Sequence, residues 1–273
     1  KLSLNPNLTM DIIQTVTLSL IQGLTEFLPI SSSAHLVLLP KLFAWPDQGL
    51  AFDVVLHFGT LCAIIYYYRN SLLVMSQDFI SSIQTRKMEG EALLAWGVLL
   101  GTIPVGLAGL LFKDSIELNL RTIEVIAFAT LFFGVLLGFS DWLNRFLGRS
   151  RELIRGSDIL IIGCFQALAL IPGTSRSGIT ITAALLIGLS RSLSVKFSFL
   201  LSIPVIAIAM IVKTFDLVNQ VDNVDWSLLL LGFFISAITA YATIVFFIRL
   251  VERIGLLPFV IYRLLLGALL LAI

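Results

Sequence analysis

Charge is what this sequence has least of. Only 13% of its 273 residues are charged, against 58% hydrophobic, and the mean hydropathy is +1.00. A water-soluble domain carries about 25% charged residues, so the composition is that of an integral membrane protein. No basic block suggests a nucleic-acid partner, and the net charge of +1 carries no information. Cysteine is nearly absent. Cys62 and Cys164 lie in separate apolar segments without Cys-x-x-Cys spacing, which indicates neither a disulfide framework nor a metal site; both read as small core hydrophobes. Alternating apolar patterning is also missing. The runs 123–138, 244–250 and 256–273 are patterned as helices, which argues against a β-barrel. No cleavable signal peptide stands out. Residues 1–9 are polar and read as a tag remnant or mobile tail, leaving 10–273 as a single membrane domain.

What is present is a set of apolar segments long enough to span a bilayer, for which about 17–25 residues are needed. Six qualify: 52–68, 93–112, 122–140, 196–212, 227–248 and 256–273. Two further regions, 12–39 and 158–190, are interrupted by polar, Gly- and Pro-bearing centres at 26–35 and 172–178. Lys and Arg in short loops mark the cytoplasmic side. Arg69, Arg86 and Lys87 form one such group, Arg145, Arg149, Arg151 and Arg155 a second, and Arg249 and Arg253 a third. The 113–121 turn is balanced, and the 213–226 loop carries Asp216, Asp222 and Asp225, so both are expected outside.

These assignments close only if each interrupted region enters and leaves on one side. Region 158–190 starts after the 145–155 loop and ends at Arg191 and Lys196, dipping in from the cytoplasm. Region 12–39 dips in from outside. The expected fold is all-α: six transmembrane helices plus two re-entrant hairpins, with both chain ends external. Hairpin and three spans (12–140) recur inverted as hairpin and three spans (158–273). The stretch "IQGLTEFLPISSS" (21–33) weakly echoes "FQALALIPGTSRS" (165–177). Inverted repeats with broken helices meeting near the midplane are a known membrane architecture, so the two polar tips should face each other. Residues 76–91 read as a mobile, partly amphipathic cytoplasmic loop.

The tips carry the chemistry. In "PGTSRSG" (172–178), Gly173 and Gly178 permit tight turns and close backbone approach. Thr174, Ser175 and Ser177 supply hydroxyls and helix caps. The following helix, about 178–189, offers its N-terminus to an anion. Arg176 presents a planar fork suited to phosphate or carboxylate; at membrane depth it would otherwise cost about 2.5–3.5 kcal/mol. In "EFLPISSSAH" (26–35), Glu26, Ser31, Ser32, Ser33 and His35 fall within ten residues. A hydroxyl nucleophile needs a nearby base, and Glu26 can orient His35, hold a cation or act as base itself. Asp53 and His57, four apart, read as a helix N-cap and a cavity-lining hydrogen-bonder, with a cation site or proton relay as the alternative. Ser198 and Ser202 read as cavity-lining or helix-packing serines.

Together, "EFLPISSSAH" and "PGTSRSG" make the chain closely similar to the bacterial undecaprenyl-diphosphate phosphatases, also called bacitracin-resistance proteins. Supporting stretches are "FDVVLHFGTL" (52–61), "GCFQALALIPG" (163–173), "FSFLLSIP" (197–204) and "LPFVIYR" (257–263). The resemblance covers the chain from Met10 onward. It implies removal of the terminal phosphate of undecaprenyl diphosphate, which recycles the lipid carrier for cell-wall synthesis, and chemistry on the outer side of the bacterial cytoplasmic membrane. By motif position the catalytic residues are Glu26, Ser32, His35 and Arg176, with Gln22, Ser31, Ser33, Gly173, Thr174, Ser175, Ser177 and Gly178 around the substrate. A divalent cation, Mg²⁺ or Ca²⁺, is implied as cofactor, with Glu26 and more weakly Asp53 as ligands. One departure is evident: many relatives carry two glutamates where this chain has Gln22 and Glu26, and an amide cannot neutralise a cation.

The mechanism expected is that Arg176, the helix N-terminus and a cation hold the diphosphate. Ser32 then attacks the terminal phosphorus or positions a water, His35 handles the proton, and Glu26 orients His35 or the cation. Expected partners are the substrate in the bilayer and membrane lipids, with a homodimer left open. A rival from another class is a lipid-phosphate transporter or flippase, because inverted repeats with broken helices are more typical of transporters.

Overall fold

The computed structural model describes residues 11–45, 48–120, 122–218 and 225–272. The 1–9 tail, Arg121 of the balanced turn and Asp222 of the acidic loop lie outside the described residues. Described secondary structure is helical, with one isolated bridge pair between Arg151 and Leu189. In chain order the helices are α1 (Ile12–Thr25), α2 (Ser32–Leu42), α3 (Gly49–Tyr67), α4 (Arg69–Thr85), α5 (Ala92–Asn119) and α6 (Ile123–Phe146). They continue as α7 (Gly156–Ala167, extended by a 3₁₀ turn to Leu170), α8 (Arg176–Leu186), α9 (Arg191–Val218), α10 (Trp226–Ile254) and α11 (Leu257–Ala272).

Among the described residues five helices are long and apolar enough to cross a membrane: Gly49–Tyr67, Ala92–Phe112, Ile123–Phe146, Arg191–Phe215 and Trp226–Ile254. The expected sixth span, 256–273, is α11, which is apolar but has 16 residues. At 1.5 Å per residue that is about 24 Å, short of the ~30 Å hydrocarbon core. Gly255, at φ 78°, ends α10, and α11 starts two residues later at Leu257.

The stretch 76–91 is a helix up to Thr85, not a loop. Its apolar face explains this: Met75 is buried, Phe79 packs on Trp96 with ring centroids 4.8 Å apart, and Trp96 Nε1 donates to Ser82 Oγ. Cys164 is exposed on the apolar surface, which corrects its reading as a core residue; Cys62 is half-buried. Facing partner helices instead of the exterior, Ser198 hydrogen-bonds Thr180 and Ser202 bonds back to Phe199 O.

The two interrupted regions are helical hairpins. Their arms, α1, α2, α7 and α8, have 14, 11, 12 and 11 residues, each too short to cross a bilayer alone. Pro29 and Pro172 break the chain at the tips because proline lacks an N–H and disfavours helix at the preceding residue. The second hairpin begins and ends in one place. Arg151 N donates to Gly188 O and Ser190 N to Arg151 O, while Arg151 pairs with Asp158 of α7 at 2.6 Å.

Packing is reciprocal between the halves of the chain. α1 lies along α10 as α7 lies along α5, α3 meets α9, and α6 meets α11. Small residues allow the close approach: a Cβ on Gly23 would lie 2.7 Å from Thr239 Cβ, and one on Gly163 would lie 2.8 Å from Gly101 O. Behind the tips sits the core, with Phe27, Phe197, Phe199, Leu200 and Phe247 fully buried.

Candidate active site

Each tip is built by the same local device. Ser31 and Ser175 are the N-caps of α2 and α8, at φ 74°, ψ 95° and φ 68°, ψ 113°. Such a conformation costs an L-residue about 1–3 kcal/mol and persists where its surroundings impose it. Ser31 Oγ accepts from Ala34 N and bonds Ser33 Oγ at 3.1 Å; Ser175 Oγ accepts from Gly178 N and bonds Ser177 Oγ at 3.2 Å. The device therefore places Ser32 and Arg176 at the same position, as the first residue of each helix.

Both converge on one carboxylate. Arg176 Nη2 donates to Glu26 Oε1 at 3.0 Å, and Ser32 Oγ donates to Glu26 Oε2 at 2.8 Å. Gln22 Nε2, one turn back on α1, donates to the same Oε2 at 3.0 Å. His57 Nε2 stands 3.8 Å from it. Glu26 is 8% exposed, so the pair with Arg176 is a buried one; removing either partner would strand a charge. Among the described residues the site joins one acidic group and one arginine at the first residues of two helices, where helix N-termini favour an anion.

Four expected residues, Gln22, Glu26, Ser32 and Arg176, are thus brought together. His35 is not among them. Its Nδ1 donates to Ser31 O at 2.7 Å and its Nε2 accepts from Tyr262 OH at 2.6 Å. The three-residue step from Ser32 turns His35 around α2 toward α11, so Glu26 does not orient it and both ring nitrogens are engaged. The histidine beside Glu26 is His57, whose Nδ1 donates to Asp53 O at 2.7 Å, leaving Nε2 for the carboxylate. Asp53 is not the N-cap expected: α3 starts at Gly49, and the Asp53 carboxylate accepts from Gln48 Nε2.

Of the expected substrate-binding hydroxyls, Ser31, Ser175 and Ser177 are buried and bonded inside the protein, Ser177 Oγ donating to Leu28 O. The Thr174 hydroxyl is buried without a partner. Ser33 is exposed and Ser32 partly so. Gly173, at φ 93°, makes the turn against α6, where a Cβ would run into the Ile126 carbonyl. Gly178 leaves room for a guanidinium: a Cβ there would lie 2.9 Å from Arg263 Nη1. Tyr262 and Arg263 close the stretch "LPFVIYR" that supports the family resemblance but were given no role there; an arginine within an otherwise apolar segment was the signal available, as it was for Arg176.

Among the described residues no three His, Cys, Asp or Glu side chains cluster as a metal cage. A hard cation shared with phosphates needs fewer protein oxygens. Glu26 supplies one, and Gln22 Oε1 is a buried oxygen with no partner. That set fits a cation held largely by substrate; Asp53, bonded to Gln48, adds nothing visible to it.

Residues 15–269 match the family described as "Bacitracin resistance protein BacA". Over 258 residues the chain is 58% identical to an undecaprenyl-diphosphatase of Vesicomyosocius okutanii, covering 94% of this chain and 98% of the relative. It is 56% identical to undecaprenyl-diphosphatase 2 of Stutzerimonas stutzeri, with 97% and 98% covered, and 46% identical to an undecaprenyl-diphosphatase of Marinobacter nauticus, with 97% and 99% covered. A match along nearly the whole chain, spanning both tips, leaves one conclusion: the chain belongs to the bacitracin resistance protein BacA family.

Proposed function

We infer that this chain is an undecaprenyl-diphosphatase, hydrolysing undecaprenyl diphosphate to undecaprenyl phosphate and inorganic phosphate. Relatives covering almost its full length carry that name, and the transport reading draws no support from them. The observation that carries the reading is the convergence of Ser32 and Arg176 on Glu26 at the meeting of two helix N-termini.

In the mechanism we propose, the diphosphate enters between the tips and Arg176 shifts its fork toward the incoming phosphates, helped by the N-terminal amides of α8. Glu26 Oε2 takes the proton from Ser32, or from a water that Ser32 holds. The attacking oxygen forms a bond to the terminal phosphorus, and the bond to the bridging oxygen breaks. Undecaprenyl phosphate leaves as an anion; where Ser32 itself attacks, Glu26 gives up its proton to solvent and then deprotonates a water that attacks the phosphoserine, breaking the Ser32 O–P bond and releasing inorganic phosphate. His35, fixed by Ser31 and Tyr262, positions the start of α2 and does not shuttle the proton. A divalent cation held by Glu26, Gln22 Oε1 and the phosphates would supply charge neutralisation.

The membrane arrangement we propose is an inverted repeat, 12–140 and 158–273, with α11 as the sixth crossing and the hairpins entering from opposite sides of the bacterial inner membrane. It is supported by the matched tips, the reciprocal packing and the closed base of the second hairpin. Basic loops then lie in the cytoplasm and the site opens outward. The test is phosphate release from undecaprenyl diphosphate by purified protein, with and without EDTA. Steady release that EDTA suppresses is expected; no release from folded protein supplied with Mg²⁺ or Ca²⁺ would overturn the assignment.

A further inference from the structure

Arg263 is completely buried, at 0% exposure, and heads the largest side chains in that condition. Among the described residues its hydrogen bonds run to carbonyls alone. Nε donates to Thr130 O at 3.1 Å; Nη1 donates to Thr174 O at 2.8 Å and Pro29 O at 3.3 Å; Nη2 donates to Gly173 O at 2.9 Å and Ala129 O at 3.5 Å. Pro29 belongs to the first tip, Gly173 and Thr174 to the second, and Ala129 and Thr130 to α6. These tip carbonyls have left the helical ladder, and in a water-poor interior each needs a donor. One planar fork supplies donors to both tips at once. A lysine, with its donors on a single atom, cannot span them in the same way.

The slot for this fork is made by absent side chains. A Cβ on Gly134 would lie 3.0 Å from Arg263 Cβ, and one on Gly178 would lie 2.9 Å from Nη1. Pro29 and Thr174 stand three and two residues before Ser32 and Arg176, the two groups that meet on Glu26. The neighbouring Tyr262 holds His35 on the other side of the first hairpin. α11 therefore grips both tips through adjacent residues. Among the described residues no carboxylate pairs with it, and burying an arginine unpaired carries a desolvation penalty that helix packing alone would not require of an apolar segment.

We propose that Arg263 is a positioning residue of the reaction: it holds the two tips in register so that Ser32 and Arg176 reach one carboxylate, and it leaves a fixed positive charge behind the diphosphate site. This rests on the phosphatase reading above for its kinetic part only. Arg263→Lys keeps the charge and loses the fork, so kcat should fall by about 10²-fold, the scale of an ångström-level misplacement, with KM close to wild type. Arg263→Met loses both, so kcat falls and KM rises. In hydrogen–deuterium exchange, tip peptides covering 28–33 and 171–177 should both lose protection in Arg263→Lys while α3 and α10 keep theirs. If the lysine variant does not fold, Gly178→Ala displaces the guanidinium from the opposite side and should give the same kcat loss. Wild-type kcat in a lysine variant with reduced thermal stability would overturn the proposal and leave Arg263 a packing residue, as would exchange changes confined to one tip. If wild-type protein releases no phosphate, the phosphatase reading fails, while the exchange arm still judges the coupling of the tips.

Discussion

At the scale of single residues, the site reduces to one carboxylate with four neighbours. Glu26 accepts from Arg176, Ser32 and Gln22 and faces His57. Replacing Glu26 by Gln removes the base and leaves the Arg176 cation without its partner. Replacing Arg176 by Ala removes the only cation seen on the carboxylate among the described residues. Each should reduce phosphate release by more than about 10²-fold, the loss seen when a charge-stabilising donor is deleted. Gln22→Ala deletes one neutral donor and should be the mildest of the three. A Gln22→Ala loss as deep as Glu26→Gln would show that the amide, not the carboxylate, anchors the chemistry. Gln22, Glu26, Ser32 and Arg176 were legible from residue type and spacing. The separation of His35 from Glu26 was not, because a three-residue step along α2 fixes a direction only once α11 is there to receive the ring.

At the scale of elements, two short helices start from capped serines held at positive φ. Glycine reaches that conformation freely, whereas alanine suffers the same strain as serine and loses the cap. Ser175→Ala should therefore be less stable than Ser175→Gly by about 1–3 kcal/mol, measured as thermal unfolding of purified protein in detergent. Equal stabilities would mean that the turn relaxes and that the tip geometry is not imposed by its surroundings. Apolar periodicity located five spanning helices with ends off by up to six residues, because length and hydropathy are local properties whereas helix ends are not. It misread 76–91, whose helical state depends on Phe79 and Ser82 meeting Trp96 across a turn.

For the whole molecule, the arrangement of the hairpins sets which face the site opens to. In a background lacking Cys62 and Cys164, single cysteines at Phe43, Met88, Leu153 and Ser227, all exposed positions, report the side directly. A membrane-impermeant maleimide applied to intact spheroplasts should label positions 43 and 227 and reach 88 and 153 only after permeabilisation. If position 43 behaves like 88, the first hairpin crosses the bilayer and the inverted repeat fails.

The sequence by itself determined the membrane class, the spanning helices, the two breaks and the residue types at each tip. All of these follow from local hydropathy, proline geometry and the distribution of basic residues. Only the tertiary structure decided which groups touch. Arg176 stands 150 positions from Glu26 in the chain, and Arg263 stands 234 from Pro29. Contacts at such separations depend on how helices close around the tips, a property of packing that no local pattern encodes. That is why the sequence named His35, whereas the fold sets His57 beside the carboxylate.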